Sequence, residues 1–348
     1  METKIVYCEL EFLRIFLNKY PFTFEYQHCW HNSFSFLSKS KIVFNTSKKD
    51  LWKEFESNQL FKYMVKRSQE GNNQGKQRWS YLDEALFPDI KSCQVSSFFT
   101  EKNLTMTSMI LTNTDNVVCK RIMRKYGILT YNVDTLLDAN YLYYDSGTAL
   151  PDDAHKLNGW SSILNQREIN VCNSLVIIDN YLLQSNSYQN YASKSVNEKI
   201  ENNLIPILEA LLPKKTDIPF HITIFAIEGN EPFETTLKNI QDKISSLRGG
   251  AVTINLQICK CEEKGEHFHD RVLITNNIWI SSGIGFDMFG NNGYQVTKPT
   301  SISVLFPFIQ TSANWAEKAY ENTISYARHL AETNIKYGEL FNNRLITF

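Results

Sequence analysis

The sequence predicts an α/β protein of two domains, and three observations carry that prediction. Its 348 residues suit two domains better than one. A strand, a helix, a glycine and a second strand follow one another over residues 105–132, the spacing of a βαβ unit in a parallel sheet. Over residues 174–306 apolar runs alternate with amphipathic helices, and a long helix from about residue 312 to 341 closes that block. A hydrophobic content of 43% supplies real cores, and 21% charged residues argue against global disorder.

Charge and cysteines narrow the class. Net charge is −1, so the chain is not a polycation. Residues 1–150 hold 19 basic and 16 acidic residues and residues 151–348 hold 17 and 21, a tilt too small to mark nucleic-acid binding by itself. Seven cysteines at irregular spacing argue against a disulfide framework and for a reducing cytosol. No apolar run reaches the roughly 18 residues of a membrane span, and residues 1–4 do not open a signal peptide. The expectation is a cytoplasmic protein without a transmembrane segment. No Walker loop, dinucleotide-binding glycine fingerprint, internal repeat or heptad array is present.

In chain order, residues 4–8 read as a buried strand, and Leu10, Leu13, Phe16 and Leu17 give the helix after it. Glu9 stands at that junction. Phe22, Phe24, Tyr26, Trp30, Phe34 and Phe36 alternate in part and read as core rather than as a base-stacking platform. Residues 40–44 are a strand, residues 45–47 offer helix caps, and one helix is expected over 48–69. Residues 70–78 read as a loop. The βαβ unit follows: a strand over 105–112, a capping turn at Asn113, Thr114, Asp115 and Asn116, a helix to about Lys125, Gly127 as its stop, and a strand over 128–132. Asp134 opens a short helix.

Residues 1–140 resemble a PIN-like nuclease domain. The matching residues are Thr112, Asn113, Asp115, Gly127 and Ile128, with Glu9 where the family has an aspartate and Thr114 as an insertion. The resemblance implies carboxylates at the carboxyl ends of parallel strands, holding Mg²⁺ or Mn²⁺ and activating water. Glu9, Asp115 and Asp83 (or Glu84) are the implied metal ligands. The plain reading of the same residues is a helix cap at Asp115 and an exposed first turn at Glu9.

The first domain is expected to end near residue 145, with a linker over 146–169 and the second domain over 170–348. An apolar strand ends on Asp179. A helix over 196–212 carries a kink at Pro206. Strands over 220–227 and 252–259 flank a helix over 234–247. A strand over 271–275 turns at Asn276 and Asn277 into a hairpin.

That hairpin holds the sharpest motif, His269-x-Arg271-x4-Asn276, followed by Gly283, Gly285 and Asp287. It resembles the His-x-Lys-x4-Asp signature of the phospholipase D superfamily. It is more similar to the phospholipase-D-like domain that follows microtubule-interacting-and-trafficking domains, through His269-Asp270-Arg271, Asn276-Asn277-Ile278-Trp279, Gly283-Ile284-Gly285-Phe286-Asp287 and an Asp-x-Tyr at Asp179 and Tyr181. The resemblance covers residues 170–310. It implies His269 as nucleophile, Arg271 as phosphate clamp and Asn276 in the orienting place, with Asp179, Asp270 and Asp287 as supporting acids. A single motif copy implies a homodimer for turnover. The same residues also fit phosphate binding without turnover, or a structural network under the hairpin.

The functional expectation is cleavage or binding of nucleic-acid phosphodiesters, metal-dependent in the first domain, in the setting of prokaryotic stress or anti-phage defence where such domains keep company. The alternative is a non-enzymatic adaptor whose second domain grips a protein partner or an anionic membrane. Basic clusters at Lys120, Arg121, Arg124 and Lys125, and at Lys48, Lys49 and Lys53, fit a phosphate track and also fit solvated helix faces.

Overall fold

The computed structural model describes residues 5–19, 24–70, 79–81, 104–105, 107–139, 142, 146–150, 159–164, 169–185, 194–262, 271–290, 300–307 and 314–347. Asp83, Glu84, His267, His269 and Asp270 lie outside the described residues. The chain is mixed α/β and divides into two compact units, one on residues 1–144 and 308–314, the other on residues 145–307 and 315–348.

The first unit is built on β1 (Ile5–Cys8), β2 (Lys41–Phe44), β3 (Trp79–Tyr81), β4 (Thr107–Leu111) and β5 (Leu129–Tyr131), all parallel, in the order β3-β2-β1-β4-β5. The chain moves from β1 to β2 and β3 on one side, then crosses back to lay β4 on the other. The gap beyond the carboxyl ends of β1 and β4 is therefore the crossover point where doubly wound sheets bind ligands. Helix α1 (Leu10–Asn18) starts there and buries Leu10, Phe12, Leu13, Phe16 and Leu17.

Two expectations for this unit are corrected. The aromatic run reads as partial alternation but forms a helix, α2 (Phe24–Lys39). Trp30 and Phe34 are four apart and stack at 5.0 Å, and Trp30 stacks on Phe16 of α1 at 5.3 Å while donating its indole N–H to the Phe16 carbonyl. The expected helix over 48–69 is two helices, α3 (Lys48–Ser57) and α4 (Gln59–Glu70). Asn58 is extended between them, and its side chain accepts the amide of Phe61, a local bond that starts a new helix.

The second unit holds an eight-stranded sheet. Its strands are β6 (Ser146–Leu150), β7 (Ser174–Ile178), β8 (Phe220–Ile227), β9 (Ile254–Cys261), β10 (Arg271–Thr275), β11 (Trp279–Ser282), β12 (Thr300–Leu305) and β13 (Lys336–Gly338), in the order β13-β9-β8-β7-β10-β11-β12-β6. β7, β8 and β9 are parallel; every other pairing is antiparallel. The helix Asn314–Thr333 buries Ala316, Tyr320, Ala327 and Leu330, and the Tyr320 hydroxyl donates to the Thr275 carbonyl at 2.7 Å. Beyond it, Asn343 and Arg344 are buried. Asn343 donates to the Leu175 carbonyl and the Thr223 hydroxyl, and Arg344 donates to the Asn173 and Pro219 carbonyls, bracing the amino ends of β7 and β8.

The linker expected over 146–169 is corrected. Residues 146–150 are the edge strand β6, in register with β12, and Gly159–Ile163 is a helix whose Trp160 is buried and donates to Asn203. The expected kink at Pro206 is instead a π turn over Ile200–Leu204 that runs directly into the helix Ile205–Leu211. Pro206 has no N–H to close an ordinary turn, and the widened turn precedes it.

Among the described residues no helix is long and apolar enough to cross a membrane. Cys8, Cys29, Cys119, Cys172, Cys259 and Cys261 are buried and form no disulfide among the described residues.

Candidate functional site

In the first unit the site grows from Glu9, the residue after β1. Its backbone N–H pairs with the Leu111 carbonyl, so the parallel ladder carries it to the end of β4. Its side chain is 9% exposed. Oε2 accepts the Asn113 amide at 2.7 Å and the Thr112 hydroxyl at 2.9 Å, so the turn after β4 holds a carboxylate from β1. On the β2 side, Asn45 accepts the Leu10 amide at 3.0 Å. On the β5 side, Asn132 donates to the Thr114 carbonyl at 3.0 Å. The turn after β4 thus binds the Glu9 carboxylate, and residues after β2 and β5 tie down the backbone on either side of it.

Asp115 lies in the same turn. It is exposed, and Oδ1 caps the helix α5 (Asn116–Tyr126) by accepting the Val118 amide at 2.9 Å. Burial pushes the nearby Cys119 thiol up, and the charges of Asp115 and Glu9 push it the same way, so both carboxylates lie within electrostatic range of one sulfur. Asp115 is thus the helix cap that the plain reading of the sequence expects. Among the described residues no three His, Cys, Asp or Glu side chains gather as a metal site. Mg²⁺ needs fewer, because it keeps water and takes one or two carboxylates together with substrate phosphates. The hard oxygen donors of Glu9 and Asp115 fit Mg²⁺ or Mn²⁺ on those terms.

In the second unit a charged cluster fills the carboxyl end of β7. The register pairs Val272 with Ile178, which sets Arg271 beside Asp179. Asp179 is 1% exposed; Oδ1 accepts the Tyr181 amide at 3.0 Å and Oδ2 the Phe286 amide at 2.8 Å. The Arg271 guanidinium lies 5.7 Å from the centre of the Tyr181 ring. Asp287 binds the Lys199 ammonium at 2.8 Å; Lys199 is fully buried and also donates to the Tyr181 carbonyl. Lys194 donates to the Asp287 carbonyl at 2.6 Å. Gly285, at φ +111°, passes between the two acids: a Cβ there would stand 2.9 Å from Asp179 Oδ2 and 3.3 Å from Asp287 Oδ1.

The structure thus brings Asp179, Arg271 and Asp287 together and sets Asn276 apart, which corrects the expected grouping of Asn276 with Arg271. Asn276 follows the other end of β10. Its side chain, 1% exposed, accepts the Asn173 amide at 2.8 Å, and Asn277 donates to the Val171 carbonyl at 2.6 Å. The hairpin turn pins the entry to β7 and faces away from the Asp179 end. Lys199 and Lys194 are members of the cluster that sequence reasoning missed. A signal for Lys199 is present: Lys199 and Asn203 are polar residues at positions i and i+4 on the apolar stripe of their helix, and both are buried.

Burial pushes the Asp179 carboxyl up to about 6, with the Asp287 charge adding to it; the Phe286 and Tyr181 amides and the Arg271 charge pull the other way. Folded Asp179 therefore keeps its proton up to about pH 6, while the unfolded chain releases it near 3.8. The stability this group contributes is complete below about pH 4 and is lost as pH rises through 6, on the order of 3 kcal/mol in all. Asp179→Asn mimics the protonated form at every pH. Between pH 5 and 7 the parent is expected to lose about 1.3 kcal/mol more than this variant in urea denaturation. Equal losses would show that Asp179 stays ionised throughout.

No family model matches the chain, and no curated protein matches it.

Proposed function

We propose that the chain binds and cleaves nucleic-acid phosphodiesters at the carboxyl edge of the first sheet, with Glu9 and Asp115 as ligands of Mg²⁺ or Mn²⁺, and that Arg271 in the second unit recognises phosphate. The observation that carries this reading is Glu9: a nearly buried carboxylate at the crossover point of an all-parallel sheet, held through one oxygen by Asn113 and Thr112. Among the described residues Oε1 accepts no hydrogen bond, which leaves it for a ligand.

Bound there, the metal ion would neutralise phosphate charge and ease deprotonation of water. Glu9 is oriented before anything binds, because two donors fix Oε2 and the strand fixes its backbone; little ordering is left to do on binding. Asp115 keeps one oxygen for the same ligand while the other caps α5. In the second unit Arg271 offers a planar set of donors beside Tyr181, suited to a phosphate. One histidine motif per chain means that turnover in that unit needs a second copy in a homodimer, whereas recognition needs one.

RNA, single-stranded DNA and duplex DNA are each incubated with the full chain in Mn²⁺ or in EDTA. Cleavage is expected in Mn²⁺ only. Glu9→Gln should slow it by about 10²-fold or more, the scale on which losing one electrostatic group at a dry site acts, while Arg271→Ala keeps the metal dependence. Cleavage that survives EDTA, or a Glu9→Gln chain at the parent rate, sinks the proposal. Capture of anionic vesicles without any cleavage would favour the adaptor instead.

A further inference from the structure

The outer face of α5 carries charge that nothing described neutralises. Residues 117, 120, 121 and 124 share that face at helical spacing, and Val117, Lys120, Arg121 and Arg124 are all exposed, Val117 at 68%. The opposite face, with Val118, Cys119, Ile122 and Met123, is buried. Among the described residues Lys120, Arg121 and Arg124 make no ion pair or hydrogen bond through their side chains, and α5 contains no acid. Most other basic clusters differ. Lys48, Lys49 and Lys53 share α3 with Asp50, Glu54 and Glu56, and Lys53 is paired with Asp50. Arg14 is paired with Glu54, Lys243 with Glu201, and Lys260 with Glu228. A cation in the last turn of a helix complements the helix dipole, which accounts for Arg124 but not for Lys120 and Arg121 one turn earlier.

The position of the stripe is as informative as its charge. α5 begins at Asp115, in the turn whose Asn113 amide holds Glu9. From Lys120 to Arg124 the helix rises about 6 Å, close to two steps of about 3.4 Å between three successive phosphates along one strand. We propose that Lys120, Arg121 and Arg124 form the track on which one strand of nucleic acid lies as its backbone leads to Glu9. This rests on the reading that places the reacting phosphate at Glu9, and it names what that site receives: a polyanion gripped through its backbone, without base reading by these three residues. Val117, where the stripe meets the site, gives an apolar contact for a sugar or a base.

The test measures binding with cleavage disabled. The full chain carrying Glu9→Gln is titrated against a fluorescent single-stranded 12-mer, as DNA and as RNA, from about 50 to 200 mM salt. The same chain is then made with Lys120→Gln, Arg121→Gln and Arg124→Gln together. The triple variant is expected to bind at least about tenfold more weakly at low salt, with a slope of log affinity against log salt shallower by about 2, or about 0.7 for each phosphate no longer neutralised. Each single variant should remove about a third of that change, so the result does not depend on the triple variant alone. An unchanged slope with affinity within twofold overturns the track, as does a parent chain that binds no oligonucleotide. Loss of binding to phosphatidylserine vesicles with oligonucleotide binding intact also overturns it and assigns the stripe to a membrane. A shallower slope in a chain that never cleaves leaves the track standing and removes the phosphodiesterase reading.

Discussion

Gly285→Ala is expected to destabilise the second unit by about 3 kcal/mol or more. Two costs meet at this position. A φ of +111° is one that a residue with a Cβ adopts only under strain, about 1–3 kcal/mol. The new methyl would also lie 2.9 Å from Asp179 Oδ2, and that oxygen cannot retreat freely because it accepts the Phe286 amide from the same loop. Moving it weakens a buried hydrogen bond to a carboxylate, worth a further 1–3 kcal/mol or so. Gly250 separates the two costs. Its φ is +78°, and a Cβ there meets nothing within 4 Å. Gly250→Ala should therefore show the backbone cost alone, about 1–2 kcal/mol. The urea midpoints of the two variants decide the matter, and a Gly285→Ala loss no larger than that of Gly250→Ala would mean that the loop can shift away from Asp179.

Asp287→Ala should cost about 3–5 kcal/mol, the scale on which a buried ion pair fails when one partner is removed. Lys199 is left fully buried with the Tyr181 carbonyl, which cannot balance an ammonium charge. Adding Lys199→Met to Asp287→Ala should recover much of the loss, because the uncompensated charge leaves with the lysine. Chemical denaturation of the two single variants and the double variant gives the coupling directly. If Asp287→Ala lies within 1 kcal/mol of the parent, the Lys199–Asp287 pair carries little of the cluster. The double variant also bears on Asp179, since removing Asp287 takes away one of the two influences that raise its carboxyl.

Much of the architecture was legible because local signals agreed with the fold. The apolar run of β7 ends on Asp179, and the Ser47, Asp115, Asn132 and Ser195 side chains cap helices as their residue types promise. Gly127 is left-handed at φ +60°, which is why it stops α5. The misses are places where a partner decides. Residues 146–150 carry little strand propensity, and β12 supplies their register. β13 is three residues long and ends on Gly338 at φ +103°, with β9 supplying its pairing. Lys199 escapes sequence reading because the acid that neutralises it lies 88 positions further on. Asn276 fell at the spacing of a catalytic signature, yet a five-residue antiparallel strand must put Arg271 and Asn276 at opposite ends.

The brace formed by Asn343 and Arg344 has a kinetic side. These two side chains grip carbonyls 168 and 171 positions earlier, and β12 meets β6 across a comparable length of chain. Closing loops of that length costs entropy before the new interactions return anything. The parallel strands β7, β8 and β9 are joined by connections much shorter than these loops, residues 179–219 and 228–253. The amino ends of β7 and β8 lack this brace until residues 343 and 344 arrive. Docking of this brace is thus expected as a late, long-range step in the folding of the second unit, and the interval before it leaves strand edges open to association with another chain.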